Sequence, residues 1–297
     1  MHFVPIGEAF GAQIVDADLR GPLDVPTAEA LRDALGTHHL LVLRGQGLQP
    51  ADQVRIMEAA SGPVLDERAD GSLHSFVSNA DPDALVRGDN RFPFHSDFGF
   101  TPEPLWALSL YGIHVVPGAD TFFADTVAAA AALDEPTRAK VAELTVTQMY
   151  SFDISYDRDH RLRLADIGED ADPSTYPRGS YPVLGRHPRL EVAYLRVSEQ
   201  QSSHIDGLDE CESEAVIAEL FEHMYSDRFT YVHRWEPDDL VIWDNLAVQH
   251  GRAAFPVARH RLLRRVTCSP LTFAEIMADI VVPDGFGAKA VIGGGTP

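Results

Sequence analysis

Short apolar runs bounded by turn-forming residues recur along the chain, and their lengths are typical of β-strands rather than of helices. Two of them, residues 229–235 and 240–244, are joined by Glu236-Pro237-Asp238-Asp239, a sequence that favours a hairpin turn. A third run, 105–116, is interrupted by Gly112. The pattern predicts strands over 10–15, 39–44, 105–116, 229–235, 240–244 and 261–267.

Helical periodicity is confined to a few segments. Residues 26–35 begin with proline in the first turn, and 50–60 form a second candidate helix. The alanine-rich stretch 128–144 is divided in two by Pro136. One further helix, 212–225, places its apolar residues on a single face, which indicates core packing: Val216, Leu220, Phe221 and Met224.

This distribution of elements predicts an α+β protein with a double-stranded β-helix core, the jelly-roll or cupin-like arrangement, and flanking helices. The length is compatible with one domain over 1–297. Residues 153–188 are polar, rich in Asp, Arg, Gly and Pro, and without a clean period. A segment of that length is either a long surface loop or an active-site lid, and we expect a functional lid or insertion.

Composition excludes several classes of partner. The formal charge of −21 argues against nucleic acid and anionic membranes, and no apolar run is long enough to span a bilayer. Only Cys211 and Cys268 occur, which is too few for a disulfide framework. With no signal peptide in the first residues, we expect a cytoplasmic protein; formation of a homo-oligomer is left open.

Candidate metal ligands come from His95-Ser96-Asp97 and the distant His250. Alternate residues of a strand point the same way, so His95 and Asp97 are expected to face one side. Two imidazoles and one carboxylate leave three positions open on a metal, the arrangement associated with non-haem Fe(II) oxygenases. A second pair, His204-Ile205-Asp206, competes with the first.

The surroundings favour the first pair. His204 lies in a polar stretch that ends in Asp206-Gly207, which predicts a loop entering a helix. His95 is instead surrounded by Phe92, Phe94, Phe98 and Phe100, and these side chains are suited to line a dry pocket.

Four arginines crowd into seven positions of this acidic chain: Arg259, Arg261, Arg264 and Arg265. Arg261 follows His250 by eleven residues and is a candidate cation for the far carboxylate of a dicarboxylate cosubstrate. Arg265 shares its strand face and is expected to reach the same cavity, although an ordinary ion-paired strand residue is an equal alternative. Arg264 is expected to face away.

Several segments resemble the TauD/TfdA (taurine dioxygenase-like) family of Fe(II)- and 2-oxoglutarate-dependent dioxygenases. They are residues 10–19, His95-Ser96-Asp97, Ala119 to Asp125, and Trp235 to Asn245 followed by Gln249-His250. The resemblance extends from about residue 8 to 270. It implies His95, Asp97 and His250 as ligands of Fe(II), O2 as oxidant, and Arg261 with Thr121 as the residues that bind 2-oxoglutarate.

The chain departs from that family at three places. Family members that bind taurine carry asparagine four residues before the first metal histidine, where this chain has Arg91. Residues 194–204 lack the aromatic that lines the pocket in those members and contain Glu199, Gln200 and Gln201 instead. Asp238 replaces a usual turn glycine. We therefore expect a substrate other than taurine.

The function predicted is hydroxylation of an aliphatic C–H in a small carboxylate or amino-acid derivative, with release of succinate and CO2. Arg265, Arg91 and Phe94 are the candidate substrate-binding residues, because two cations beside phenylalanines suit a molecule with an anionic end and an apolar body. Desaturation, cyclisation and oxidative bond cleavage are alternatives with the same cofactors. A zinc hydrolase with a metal-bound water and a catalytically inactive jelly-roll binding protein are alternatives of a different class.

Overall fold

The computed structural model describes residues 1–65, 72–79, 90–151, 161–168, 170, 172, 175–256, 258–276 and 278. Its strands are β1 His2–Pro5, β2 Ala12–Val15, β3 Leu40–Leu43, β4 Ser75–Ser78, β5 Phe92–His95, β6 Ala107–His114, β7 Thr121–Asp125, β8 Thr145–Met149, β9 Arg178–Pro182, β10 Leu184–Arg186, β11 Ala193–Leu195, β12 Ser202–Ile205, β13 Thr230–His233, β14 Leu240–Asp244, β15 Val248–Arg252 and β16 Leu262–Cys268. Its helices are α1 Val25–His38, α2 Pro50–Ser61, α3 Thr126–Ala131, α4 Glu135–Val141, α5 Leu164–Ile167, α6 Glu210–Met224 and α7 Phe273–Ile276.

Two sheets face each other across a common core. Among the described residues, the larger sheet has the order β1-β2-β3-β14-β6-β16-β4, and the smaller one has the order β13-β7-β15-β5. Pairing is antiparallel in both except where β2 meets β3. The predicted α+β fold with a jelly-roll core is confirmed.

Strand β14 shows how alternation builds the two sides of the larger sheet. Val241 and Trp243 point into the space between the sheets, where they pack with Phe123 of β7. Leu240 and Ile242 point the other way, into an apolar layer shared with α1 and α2. Both faces of β14 are therefore covered, which explains why its five residues are all buried.

Local sequence accounts for the helix boundaries. The Asp24 carboxylate caps α1 by accepting from the backbone N–H of Thr27, and the helix ends at His39 in a left-handed conformation, φ 58°. Asp209 and Glu212 form a capping box at the start of α6. Pro136 lies in the first turn of α4, so the predicted division of 128–144 is found, although the second helix ends at Val141 rather than at residue 144.

Two expectations require correction. His204 lies in strand β12, not in a loop, because β12 pairs with β8 in a sheet of order β12-β8-β9. The segment 153–188 is not one long loop, because residues 178–182 and 184–186 are strands β9 and β10. Residues 153–160 lie outside the described residues, and a lid at this segment stays a prediction. No helix in the described part of the chain is long and apolar enough to cross a membrane.

Candidate metal and cosubstrate site

The smaller sheet brings the two distant histidines together. His95 ends β5 and His250 lies in β15, and the two residues are directly paired across the strands. Asp97 follows β5 in a turn, so it approaches the histidines from the end of the strand rather than from the strand itself. The Nε2 atoms of His95 and His250 lie 3.1 Å and 3.8 Å from Oδ1 of Asp97. Within the described residues, these three form the one group with the spacing of a metal site.

A bulge in β5 precedes His95 and affects the direction of its side chain. Between the pairs His250–His95 and Arg252–Phe92, β5 contains one residue more than β15. Pro93 lies in this bulge, where a missing N–H costs no ladder bond. Gly251 faces it so closely that an added Cβ would lie 2.7 Å from the carbonyl oxygen of Phe92. A larger residue at 251 would therefore separate the two histidine strands.

Side-chain amides fix the turn that carries Asp97. Asn245 accepts from the backbone N–H of Asp97 at 2.9 Å and donates to the carbonyl oxygens of Asp97 and Leu105. Gln201 donates to the carbonyl oxygen of Ser96 at 3.0 Å. Asn245 and Gln201 both lie in segments that the sequence singles out, but this role does not follow from it, because the contacts join positions more than 100 residues apart.

The protonation of the site suits a metal ion. The Nδ1 of His95 lies 2.9 Å from the carbonyl oxygen of Pro93, which places a proton on Nδ1 and leaves Nε2 as a ligand. Burial lowers the pKa of His250 to about 3, with His95 and Arg265 acting in the same direction, so its imidazole is neutral. Two neutral imidazoles and a carboxylate are the donor set that fits Fe(II).

Arg265 binds the third ligand. Its Nη2 lies 2.8 Å from Oδ2 of Asp97, while Oδ1 faces the two imidazoles. Burial alone would raise the pKa of Asp97, but the charge of Arg265 is the largest of the effects that outweigh burial and hold this pKa well below its usual range. Asp97 is therefore a carboxylate with one oxygen directed at the histidines. The guanidinium of Arg264 faces away from the space between the sheets, toward Gln53 and the carbonyl oxygen of Leu48.

A buried cation lies close to Thr121. Arg261, 4% exposed, donates from Nη2 to Oγ1 of Thr121 at 3.4 Å. The indole N–H of Trp235 donates to the same oxygen at 2.9 Å. Because that oxygen accepts twice, the Thr121 hydroxyl proton is available to a third group. Among the described residues, no carboxylate forms an ion pair with Arg261, and the position therefore suits a bound carboxylate.

The competing pair is engaged elsewhere. Asp206 accepts hydrogen bonds from the hydroxyls of Thr145 and Thr147, at 2.9 Å and 2.7 Å. His204 lies 3.3 Å from Asp206 but belongs to the separate sheet of β12, β8 and β9, and no third ligand joins this pair in the described part of the chain.

Two predicted substrate residues lie on the wrong face. Phe94 precedes His95 and points to the opposite side of β5, where its ring stacks on Tyr225 at 4.3 Å and contacts Phe122. Arg91 lies over the rings of Phe94 and Phe122 and is bound to Glu199 at 2.6 Å. Contrary to expectation, neither side chain lines the metal pocket: Phe94 alternates with His95, and the bulge shifts the alternation by one residue, so that Arg91 lies on the side of Phe94.

Comparison with known proteins agrees with this geometry. The family model for the taurine catabolism dioxygenase TauD, TfdA family matches residues 2–267. The alpha-ketoglutarate-dependent 2,4-dichlorophenoxyacetate dioxygenase of Cupriavidus pinatubonensis is 28% identical over 283 residues, covering 89% of this chain and 96% of that protein. Pentalenolactone F synthase of Streptomyces arenae is 27% identical over 282 residues, covering 90% and 94%.

A solved structure is similar over nearly the same range. AAD-2 in complex with Mn(II) and N-oxalylglycine superposes with a TM-score of 0.73 at 24% identity, covering 90% of this chain and 96% of that one. Family membership decides against a zinc hydrolase and against an inactive binding protein. The chain belongs to the TauD/TfdA family, and it is an Fe(II)- and 2-oxoglutarate-dependent dioxygenase that uses O2.

Proposed function

We propose that this enzyme oxidises an aliphatic C–H bond of a small anionic molecule while 2-oxoglutarate is converted to succinate and CO2. The observation that carries the proposal is the arrangement of two cations around the triad. Arg261 lies beside Thr121, and Arg265 lies beside Asp97. A site that requires one dicarboxylate and one further anion has a use for both.

The metal is held by His95, Asp97 and His250 in this proposal. Fe(II) held there would supply the oxidising chemistry that couples O2 to 2-oxoglutarate, with one oxygen atom of O2 recovered in succinate and the other in the product. The chain supplies neutral imidazoles, an ionised carboxylate and the Asn245 contacts that keep Asp97 in place.

Arg261 and Thr121 bind the distal carboxylate of 2-oxoglutarate. A guanidinium presents paired N–H donors to a carboxylate, and the Thr121 hydroxyl adds a neutral donor. Trp235 orients that hydroxyl by occupying its oxygen. These donors act in a space that excludes water, where hydrogen bonds to a charged group are strongest.

Arg265 binds the anionic end of the substrate and also holds Oδ2 of Asp97. The rings of Phe98, Phe100 and Tyr150 stack in a row that begins one residue after Asp97, at centroid separations of 5.9 Å and 5.1 Å. This apolar row suits the uncharged body of such a molecule. The relative from Cupriavidus is named for a carboxylate with an aromatic body, which agrees with this class.

A substrate panel tests the proposal. Small carboxylates, sulfonates, sulfate esters and amino-acid derivatives are compared with their neutral esters or amides, and succinate and oxidised product are quantified together. For an anionic substrate we expect oxidised product and succinate in equal amounts. For its neutral analogue we expect little or no oxidised product. Equal product formation from the neutral analogue would contradict the assignment of an anionic substrate.

We also assign the enzyme to the cytoplasm. Neither the exposed Cys211 nor the buried Cys268 forms a disulfide, as expected in a reducing compartment. Fractionation of cells that produce the protein from its own gene tests this, and recovery with the membrane or periplasmic fraction would contradict it.

A further inference from the structure

The outer face of the smaller sheet contains a cluster of interacting side chains that lies outside the metal triad. It consists of Arg91, Phe94, Glu199, Tyr225 and Gln249, here called the outer clamp. Phe94 and Gln249 are the residues immediately before the metal histidines His95 and His250. A shift of the backbone at either position therefore moves the adjacent metal ligand.

Strand β5 depends on support from outside its own sheet. It is the edge strand of the smaller sheet, and its bulge removes regular ladder bonds around Phe94. Residues of the 198–201 turn replace them. Oε2 of Glu199 accepts from the backbone N–H of Phe94 at 2.9 Å, and the backbone N–H of Gln200 donates to the carbonyl oxygen of Phe94 at 3.2 Å.

Strand β15 is attached to the same segment. Gln249 donates from Nε2 to the carbonyl oxygen of Val197 at 2.6 Å, and its Oε1 accepts from the hydroxyl of Tyr225 at 2.7 Å. The Gln249 side chain is 2% exposed, so both ends of its amide are satisfied inside the protein.

Tyr225 connects the two strands. Its ring stacks on Phe94 with an angle of 6° between the planes, and its hydroxyl donates to Gln249. The same hydroxyl accepts from the backbone N–H of Glu199 at 3.2 Å. Tyr225 is the C-cap of α6, whose buried face packs in its own apolar layer, and this gives the ring a rigid base. One side chain thus contacts β5, β15 and the segment that supports both.

We propose that Tyr225 is a positioning residue that sets the separation of His95 and His250 through Phe94 and Gln249. The inference rests on the proposed assignment of those histidines as metal ligands. It gives Glu199 and Arg91 a role as well: the Arg91 guanidinium neutralises the Glu199 carboxylate that holds Phe94. The clamp acts on metal affinity and on the geometry of the two histidine ligands.

The test is Tyr225→Phe, which removes the hydroxyl and keeps the stacked ring. The apo protein is titrated with Co(II), and visible absorption reports both the dissociation constant and the ligand geometry. We expect the dissociation constant to rise about three- to tenfold, with a shift of the absorption bands, since the lost bond acts one residue from the ligands. Gln249→Leu breaks the same bond from the other side, and the double variant should bind Co(II) no more weakly than the weaker single variant.

Tyr111→Phe is the matched control. Tyr111 is a buried tyrosine whose hydroxyl donates to Asp238, but it lies in the apolar layer on the far side of the larger sheet. It should lower Tm to a similar extent and leave Co(II) binding unchanged. Tyr225→Phe with a lowered Tm but wild-type Co(II) binding and spectrum would overturn the clamp, as would additive losses in the double variant. His95→Ala tests the ligand assignment separately from the role of Tyr225. Retention of Co(II) by His95→Ala would contradict the ligand assignment.

Discussion

Replacement of Arg261 with methionine gives the sharpest perturbation of the cosubstrate site. The Arg261 guanidinium is buried, with a neutral partner in Thr121 and with the rings of Trp235 and Phe255 each 6.0 Å from its central carbon. Burial, reinforced by Arg252, lowers its pKa to about 9 although Asp120 acts in the opposite direction. From the usual 12.5, this drop corresponds to on the order of 5 kcal/mol that disfavours the charged form before a carboxylate binds.

Two opposite effects follow from this cost. Without cosubstrate, Arg261→Met removes an unfavourable buried charge, so Tm of the apo protein should be unchanged or higher. With cosubstrate, it leaves a buried carboxylate without its cation, a loss on the order of 2–5 kcal/mol. The KM for 2-oxoglutarate should therefore rise by at least about 30-fold.

The assay combines three readouts: KM for 2-oxoglutarate from succinate release, binding of N-oxalylglycine to the Mn(II)-loaded protein by calorimetry, and Tm without ligand. Arg259→Met is the matched control, because Arg259 is exposed and two residues away, and it should change none of them. A KM for Arg261→Met within twofold of wild type would refute the reasoning and transfer the role to another cation.

Further substitutions test three neighbouring parts of the site. Asp97→Ala should abolish Fe(II) binding measured by metal analysis, whereas His204→Ala should leave it nearly intact; the reverse pattern would select the other pair. Trp235→Phe should raise the KM for 2-oxoglutarate about threefold or more and add little to the effect of Thr121→Val, because both act through one hydroxyl; additive effects would show independent roles. Arg265→Gln should weaken binding of an anionic substrate and of the metal while N-oxalylglycine binding to the metal-saturated protein stays nearly unchanged, and loss of that last affinity would reassign the residue.

The parts of the fold that the sequence predicted are those determined by local patterns. The turn at Glu236-Pro237-Asp238-Asp239 lies where its residues predict it, and the division between α3 and α4 follows from the position of Pro136. The expected hairpin is wrong, however, because this turn leads from β13 in the smaller sheet to β14 in the larger sheet, and the two strands do not pair. The assignment of Arg261 and Arg265 to one strand face and of Arg264 to the other needed only the period of two.

The errors came from interactions between distant residues. Periodicity could not show that β5 is bulged, that Asp97 lies in a turn, or that Phe94 faces Tyr225 more than 100 residues away. The polar sequence around His204 predicts a loop. The residue instead lies in a strand because the segment pairs with β8, more than 50 residues away along the chain. The role of Asn245 depends on a similar long-range contact with Asp97.

A crystal structure of the protein with Mn(II) and N-oxalylglycine tests the central claim most directly. We expect one metal peak, located by anomalous scattering, bonded by Nε2 of His95, Oδ1 of Asp97 and Nε2 of His250. We also expect the far carboxylate of N-oxalylglycine in contact with Arg261 and Thr121. A metal bound at His204 and Asp206, or a carboxylate that contacts neither Arg261 nor Thr121, would contradict this claim.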